Sequence, residues 1–312
     1  MIDHDKDLFG NERDVPTMYG NLFSFMGRPL TRDLGSEADV VVMGIPYDLG
    51  TSGRSGARFG PNGIRQASAN LGWEEKRWPW DFAVYDHLKV IDYGDLAIAI
   101  GESAETCATI EEHAGAILNS GKKLLSFGGD HFVALPLLRA HSRLHGPISL
   151  IHFDAHTDTE AVEDKYYHGN MFHLAPQEGI VNPSTSVQVG IRTEYDPKDH
   201  LYQVLDAAWS NDRSTAEIVE TIKARVGDSP AYITFDIDCL DPAFAPGTGT
   251  PVVGGLSSDK ALKIIRGLRG CNLVGMDIVE VAPAYDHADI TSLAGATLAL
   301  EFLCLLAAEK MA

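Results

Sequence analysis

The sequence predicts a single α/β domain with a mainly parallel sheet of about eight strands. Short apolar runs rich in Val and Ile alternate with longer amphipathic segments, and this alternation is typical of α/β folds. Several apolar runs are hydrophobic on both faces, as expected for parallel strands covered by helices on both sides. No Pro- or Ser-rich linker and no internal repeat interrupts the 312 residues. We therefore predict one domain over 1–312, with residues 1–37 as an N-terminal extension packed on it.

Seven segments have the length and apolar character of strands, and an eighth is weaker. The seven are Val40–Ile45, Lys89–Asp92, Lys123–Phe127, Ile148–Phe153, Ser186–Ile191, Ala231–Phe235 and Leu273–Asp277, and the weaker one is Gln203–Asp206. Six helices are predicted at Gly60–Ala69, Glu102–Ser120, Phe132–His145, Ser214–Val226, Ser257–Leu268 and Ile290–Lys310. The main irregular stretches are 1–37, 46–60, 157–183 and 241–256. In open α/β sheets, loops at the carboxyl ends of strands build the functional site.

Composition and charge limit the classes of partner. Lys plus Arg total 25 and Asp plus Glu total 44, so the net charge is 25 − 44 = −19. This balance argues against non-specific binding to nucleic acid or anionic membrane and is compatible with a small cationic substrate.

We see no run of about 18 apolar residues and no signal peptide, so no membrane span is expected. The four cysteines are far apart in the sequence, which favours a reducing cytoplasm over a disulfide framework or a cysteine zinc site.

Three segments place His and Asp side chains where predicted strands end. They read LLSFGGDH at 124–131, IHFDAHTD at 151–158 and ITFDIDCLDP at 233–242. Because side chains two apart in a strand share a face, Asp154 should point with His156, and Asp236 with Asp238. Asp158 joins its pair if the chain turns back over the strand end. Buried, unpaired carboxylates are costly to desolvate, and divalent cations would remove that cost.

The predicted metal ligands are His131, Asp154, His156, Asp158, Asp236 and Asp238. Four carboxylates contribute −4 and two dications +4, so a two-metal cluster is balanced. Oxygen donors and imidazoles without a thiolate favour Mn²⁺ over a structural zinc site, while ligand chemistry alone leaves Zn²⁺, Co²⁺ and Fe²⁺ open. A single DxH or DxD pair is often only a turn or a cap, but three such segments after apolar strands indicate a metal cluster.

At these residues the sequence resembles the ureohydrolase family, which contains arginase and agmatinase. The likeness extends from about Ala38 to the C-terminus and is carried by SFGGDH, HFDAHTD and FDIDCLDPAFAPGTGTP. It is closest to the bacterial agmatinase branch at 44–68, at HGNMFH (168–173) and at GMDIVEVAPAYD (275–286). The resemblance implies an arginase-like, three-layer α/β/α sandwich around an eight-stranded parallel sheet. It also implies two Mn²⁺ per chain and a homo-oligomer, either a trimer or a hexamer.

The resemblance also assigns a role to each matching position. One manganese would be held by His131, Asp154, Asp158 and Asp236, and the other by Asp154, His156, Asp236 and Asp238, so that Asp154 and Asp236 bridge both ions. His168 matches the family's proton-shuttling histidine. Glu280 matches the carboxylate that binds the guanidinium, and Thr250 matches a threonine near that glutamate.

The implied reaction is hydrolysis of agmatine to putrescine and urea by a metal-bridging hydroxide. Asp158 would pass the hydroxide proton to the leaving amine, and His168 would exchange protons with solvent as general acid–base. An acidic cavity mouth would favour the distal amine of agmatine, which carries a positive charge. We expect Asp and Glu residues of the 157–170 loop to provide it, namely Glu160, Glu163 and Asp164.

Several alternatives remain open at this point. A guanidinobutyrase would bind a substrate with a distal anion, which Arg54 and Arg58 could serve, and Asn170 stands where agmatinases typically carry Thr. More distant alternatives are a non-catalytic guanidine or polyamine sensor, and a zinc deacetylase of related fold. Taken alone, Glu280 could be an ion-pair partner and His168 an ordinary loop histidine. We expect His152 to pack beside the cluster or support a ligand, rather than bind metal itself.

Overall fold

Eight parallel strands form the centre of the molecule in a computed structural model, which describes residues 23–99 and 101–312. The strands are β1 (Val40–Ile45), β2 (Val90–Asp95), β3 (Lys123–Gly128), β4 (Ser149–Phe153), β5 (Val187–Val189), β6 (Gln203–Leu205), β7 (Ala231–Asp236) and β8 (Leu273–Val279). They form one sheet in the order β2-β1-β3-β8-β7-β4-β5-β6, and each neighbouring pair is parallel. All eight predicted strands are thus confirmed, including the weak eighth.

The helices are α1 (Gly60–Ser68), α2 (Val84–His87), α3 (Ser103–Asn119), α4 (Ala134–His145), α5 (Met171–Gln177), α6 (Ala207–Asp212), α7 (Thr215–Val226), α8 (Ser258–Gly267) and α9 (Ile290–Lys310). The six predicted helices are confirmed. The prediction of an irregular stretch over 157–183 is wrong where α5 forms. Helices this short contain too few residues for a helical period to be recognised in the sequence.

Local sequence determines where several elements begin and end. The Ser257 hydroxyl caps α8 by accepting a hydrogen bond from the Lys260 amide at 3.1 Å, as predicted from the sequence. Ser214 and Glu217 form a reciprocal capping box at the start of α7. Strand β5 is shorter than predicted because Gly190, with φ of +96°, turns the chain immediately after Val189.

Helices cover both faces of the sheet, which confirms the predicted three-layer sandwich. Alternate residues of β1 pack in opposite directions: Val40 and Val42 belong to one hydrophobic core, and Val41 and Met43 belong to the other. The first core includes side chains of α1, α7, α8 and α9, and the second includes those of α3, α4 and α5. A parallel sheet buried on both faces explains why its strands are nearly continuous apolar runs.

Helix α9 is long and apolar enough to cross a membrane by length and composition, and it is the one such helix in the described ranges. It is not an uninterrupted apolar run, because Thr291, Ser292, Thr297 and Glu301 lie within it. Moreover, 83% of its most apolar window is buried inside the protein. The buried Glu301 carboxylate accepts hydrogen bonds from Trp80 and Arg266, so the polar group of this helix is also satisfied internally. These features are those of a core helix.

Of the predicted N-terminal extension, residues 1–22 lie outside the described residues. The remainder includes Phe25, which is fully buried with its ring 5.2 Å from that of Phe127. The Phe25 amide donates a hydrogen bond to Asp92 at 2.7 Å, and the same carboxylate pairs with the buried Arg65 guanidinium. Residues around Phe25 are thus attached to β2 and α1.

Candidate metal centre

The predicted site residues meet at the carboxyl ends of four adjacent strands, β3, β8, β7 and β4. His131 follows β3, Glu280 follows β8, Asp236 ends β7 and Asp154 follows β4. Because all strands are parallel, their carboxyl ends lie at one edge of the sheet, which is where α/β proteins place their sites. Segments about a hundred residues apart in sequence are therefore neighbours in space.

One group of ligands surrounds the imidazole of His131. Its Nδ1 lies 3.0 Å from Asp154 Oδ2, 2.9 Å from Asp158 Oδ2 and 3.4 Å from Asp236 Oδ2. All four side chains are buried, yet Nδ1 has no hydrogen-bond partner in the described structure. A buried imidazole nitrogen facing three carboxylate oxygens without a hydrogen bond fits a cation bound between them.

A second group lies beside the first and shares Asp154 with it. His156 Nδ1 is 3.3 Å from Asp154 Oδ1 and 3.2 Å from Asp238 Oδ2. The two oxygens of Asp154 thus face different histidines. Asp236 directs Oδ2 toward His131, while its Oδ1 accepts the amide N–H of Asp238 at 2.8 Å. Side-chain atoms of His131, His152, Asp154 and Asp158 lie close enough together to hold one cation, and those of Asp154, His156 and Asp238 to hold another. Asp236 joins the first group through its 3.4 Å approach to His131, so the residues present can hold two metal ions.

The electrostatics of the cluster are unfavourable without cations. Burial raises the pKa of Asp158 to about 6, and the charge of Asp154 adds to this effect. Burial, together with the charges of Asp238 and Asp154, also raises the pKa of Asp236 well above its usual range. For His156, burial lowers the pKa, but hydrogen bonds to Asp154 and Asp238 outweigh it and raise the pKa to about 12. Positive charge is strongly favoured at this position, as expected where a metal ion would bind.

Glu280 is fully buried next to the metal ligands and has one unsatisfied oxygen. Its Oε1 accepts hydrogen bonds from the His131 amide at 2.9 Å and from His168 Nδ1 at 2.8 Å. Its Oε2 has no partner in the described structure. Glu280 adopts a φ of +62°, a conformation that costs energy for a residue with a side chain and is concentrated at functional sites. An oxygen left in this state can accept a hydrogen bond from a bound ligand.

A cavity of about 430 Å³ opens onto the cluster. Its acidic lining residues are Asp158, Glu160, Glu194 and Asp236, and none of the described residues that line it is Lys or Arg. Ser52 and His168 line the same cavity. Its charge therefore favours a cationic ligand.

Residues 38–305 match the sequence profile of the Arginase family. The chain belongs to the arginase family. It is 55% identical over 302 residues to a protein named agmatinase from Shigella boydii, covering 96% of this chain and 98% of the relative. A solved structure described as a hypothetical agmatinase from Burkholderia thailandensis superposes with a TM-score of 0.91 at 51% identity, covering 95% of this chain and 94% of the other. Proclavaminate amidino hydrolase from Streptomyces clavuligerus superposes with a TM-score of 0.88 at 35% identity, covering 93% and 98%.

For this arginase-family chain, the structure brings all six predicted ligands together, although not in the way the sequence argument assumed. Strand β4 ends at Phe153, before Asp154 and His156, so strand alternation does not orient that pair. Asp238 lies in a short 3₁₀ turn, and its own amide N–H is capped by the Asp236 side chain. Asp158 reaches the cluster through a left-handed backbone with φ of +50°. Tight turns after the strands thus produce the convergence.

The other predicted site residues also lie at the cavity. His168 Nε2 faces the hydroxyl and amide of Ser52 at 2.7 and 3.0 Å, while Nδ1 is bonded to Glu280. Burial lowers the pKa of His168, but the hydrogen bond and charge of Glu280 outweigh it and raise the pKa to about 9. The Thr250 hydroxyl donates to Asp238 Oδ2 at 3.2 Å. Thr250 thus contacts a predicted metal ligand directly.

The structure shows which of the acidic and basic residues considered for substrate binding line the cavity. Of the three acidic residues expected near the substrate, Glu160 lines the cavity, whereas Glu163 and Asp164 are exposed and do not line it. Arg54 donates a hydrogen bond to the Thr248 carbonyl, and Arg58 pairs with Asp48. Neither arginine lines the cavity, so both are committed to other partners.

Sequence reasoning missed several polar residues that line the cavity or belong to the hydrogen-bond network around the cluster. They are Ser52, Thr234, Gln188, Glu194 and Asp277. Thr234 bonds His131 Nε2 at 2.8 Å and donates to Asp277 at 2.6 Å. Gln188 bonds His152, which in turn contacts Asp154 at 2.7 Å. The available clue was a polar residue inside an apolar strand, as in VQV at 187–189.

Proposed function

We propose that this chain is an enzyme that hydrolyses the guanidinium group of agmatine to putrescine and urea, with two Mn²⁺ ions bound per chain. The observation that carries the proposal is an acidic cavity that opens onto the buried His–Asp cluster and is lined by His168. His168 is hydrogen-bonded to the buried Glu280 carboxylate, whose other oxygen has no partner in the described structure. The high identity to proteins named agmatinase supports it. A non-catalytic sensor has less support, because the six predicted ligand positions, His168 and Glu280 are all filled in this chain.

The metal ions would be held by the two groups that share Asp154. His131, Asp158 and Asp236 belong to one group, and His156 and Asp238 belong to the other. Two divalent cations in such a site supply Lewis-acid activation of water near neutral pH. Four carboxylates and two neutral imidazoles balance the charge of two dications, and this donor set suits Mn²⁺.

Glu280 would bind and orient the guanidinium. A guanidinium is planar and presents several N–H donors, so a carboxylate can hold it by charge-assisted hydrogen bonds. Oε2 is free to accept one, while Oε1 is fixed by His131 and His168. The carboxylate is therefore already oriented before substrate arrives, which reduces the entropy cost of placing the guanidinium carbon next to the metal ligands.

His168 and Asp158 would handle the protons. His168 is held between Ser52 and Glu280 at the cavity wall, where it can exchange a proton with solvent and with the leaving amine. Asp158 is a buried carboxylate that lines the cavity, and burial raises its pKa to about 6. It is thus suited to carry a proton to the amine nitrogen as the carbon–nitrogen bond breaks.

The charge of the cavity favours agmatine over a guanidino acid. A guanidino acid requires a cationic group for its carboxylate, but Arg54 and Arg58 have other partners. The Asn170 side chain donates to the Asp164 carbonyl within its own loop, so it does not provide an anion site in the cavity. Glu160 and Glu194 would instead attract the distal ammonium of agmatine.

Urea release by manganese-loaded protein tests the proposal. The substrates to compare are agmatine, 4-guanidinobutyrate, 3-guanidinopropionate and arginine. We expect the highest kcat/KM for agmatine. A preference for either guanidino acid would move the assignment to the guanidinobutyrase alternative, and no urea from any guanidine would favour the sensor.

We also infer that the protein works in the cytoplasm as a homo-oligomer, either a trimer or a hexamer. The large exposed side chains of Trp73, Trp78 and Val253 are consistent with contacts to further copies. Size-exclusion chromatography with light scattering would give the mass directly, and a monomeric mass near 33.8 kDa would contradict the assembly.

A further inference from the structure

Gln188 is a buried amide in the middle of strand β5, between Val187 and Val189. All of its hydrogen-bonding groups are used. Nε2 donates to the Thr157 carbonyl at 2.7 Å and contacts His152 Nδ1 at 2.9 Å. Oε1 accepts from His200 Nε2 at 2.6 Å. A polar side chain at a position where its neighbours are valines requires such partners, because an unsatisfied buried amide is costly.

The Thr157 backbone carbonyl determines which groups donate and which accept in these hydrogen bonds. The Thr157 oxygen can only accept, so the amide nitrogen of Gln188 must face it. The second N–H of the same nitrogen then points to His152 Nδ1, which must therefore be the unprotonated ring nitrogen. In neutral His152 the proton is on Nε2, which lies 2.7 Å from Asp154 Oδ2. His152 is thus a donor to Asp154 and has no lone pair to offer a metal on that side.

The two contacts of Gln188 reach both parts of the candidate metal centre. Through His152 it acts on Asp154, the one carboxylate whose two oxygens face His131 and His156 respectively. Through the Thr157 carbonyl it holds the residue between His156 and Asp158. Hydrogen bonds to metal ligands fix their orientation and tune their affinity for the ion.

We propose that Gln188 is a positioning residue for the metal centre, which sets the tautomer of His152 and thereby the orientation of the Asp154 carboxylate. The inference rests on the proposed function only in requiring that the cluster binds metal. It assigns no contact between Gln188 and the substrate. The residue lies behind the ligands, on a strand that supplies none of them.

The test is the Mn²⁺ affinity of Gln188→Met, measured by titration calorimetry and by the electron paramagnetic resonance signal of free Mn²⁺. Met has a similar length and no polar group. We expect Mn²⁺ to bind about 10–100-fold more weakly, the usual effect of removing such a supporting hydrogen bond. Gln203→Leu is the matched control, because Gln203 is a half-buried glutamine on the adjacent strand β6. It should bind Mn²⁺ as the unmodified protein does.

A double-mutant cycle with His152→Phe separates positioning from general damage to the fold. If Gln188 acts through His152, adding Gln188→Met to His152→Phe should weaken Mn²⁺ binding by less than about threefold further, because the shared interaction is already lost. Independent, additive losses would overturn the proposal, as would a Gln188→Met protein with unchanged affinity. Neither readout uses urea release, so a protein that binds Mn²⁺ but hydrolyses no guanidine would contradict only the proposed function.

Discussion

Glu280 and His168 are joined by a buried hydrogen bond in which only one of the two carboxylate oxygens is used. Oε1 accepts from His168 Nδ1 at 2.8 Å, and Oε2 is buried with no partner in the described structure. A buried carboxylate oxygen without a partner is unfavourable in the free protein. The desolvation cost of Oε2 is removed when a ligand donates a hydrogen bond to it. The Glu280 carboxylate is therefore oriented to bind a cationic N–H donor.

Glu280→Gln should therefore reduce kcat/KM for agmatine strongly. The amide has nearly the same shape but loses the negative charge that holds the guanidinium. A hydrogen bond to a charged group contributes about 1.5–3 kcal/mol, which corresponds to a loss of roughly 10–150-fold. Steady-state urea release at saturating Mn²⁺ measures it. Glu309→Gln, an exposed position on α9 paired with Lys123, is the control, and equal kinetics for the two variants would contradict the role of Glu280.

Replacing His168 should affect turnover without affecting metal content. We expect His168→Asn to lower kcat by about 10²-fold or more, the usual contribution of a general acid–base. Mn²⁺ per chain should stay the same, because the hydrogen-bond partners of His168 are Ser52 and Glu280 rather than metal ligands. Turnover and metal analysis are measured on the same preparation. His173→Asn, two residues beyond Met171 on α5, serves as the control, and loss of metal from His168→Asn would reject the assignment.

The sequence was sufficient to predict which His and Asp residues converge at the sheet edge, but not the residues that hydrogen-bond to them. His131, Asp154 and Asp236 each follow an apolar strand, and this pattern is local. The contacts from Thr234 to Asp277 and from Gln188 to His152 join adjacent strands of the sheet. They depend on the order β3-β8-β7-β4-β5, which cannot be obtained from hydrophobic periodicity.

Removing the metal should lower both activity and stability. The cluster places four carboxylates together in the interior, and burial raises the pKa values of Asp158 and Asp236. Bound cations offset this repulsion, and at 100 times the dissociation constant a ligand stabilises the folded state by about 2.7 kcal/mol. Dialysis against a chelator should abolish urea release and lower the thermal unfolding temperature, and Mn²⁺ should restore both. An unfolding temperature that does not respond to Mn²⁺ would count against a metal centre.

His141 should make the protein less stable in acid through an effect separate from the metal site. The side chain is fully buried on α4, where Nδ1 bonds the Leu137 carbonyl and Nε2 has no partner in the described structure. Burial lowers its pKa to about 4. In the unfolded chain the pKa is about 6.5, so the unfolded state binds a proton first as pH falls. The contribution of neutral His141 to the stability of the folded state is fully present above pH 6.5 and is lost progressively between pH 6.5 and 4.

Urea unfolding of the metal-free protein and of His141→Leu at pH 7 and pH 5 measures this contribution. Between pH 7 and pH 5 the free energy of unfolding of the unmodified protein should fall by about 2 kcal/mol more than that of the variant, as the shift in the pKa of His141 requires. Both proteins share the carboxylates of the cluster, so the acid sensitivity of those groups cancels in the comparison. Identical losses in the two proteins would show that His141 is not held in its neutral form.

Glu160 and Glu194 should determine the preference for a substrate with a distal amine. Both carboxylates line the cavity but are solvent-exposed, so each interaction with an ammonium is worth at most about 1 kcal/mol. We expect Glu160→Gln combined with Glu194→Gln to raise KM for agmatine by roughly fivefold to tenfold at low salt, and less at high salt because of screening. Butylguanidine has the same four-carbon stem without the amine, and its KM should not change. A parallel rise in KM for both compounds would mean that the two glutamates shape the cavity rather than attract the distal charge.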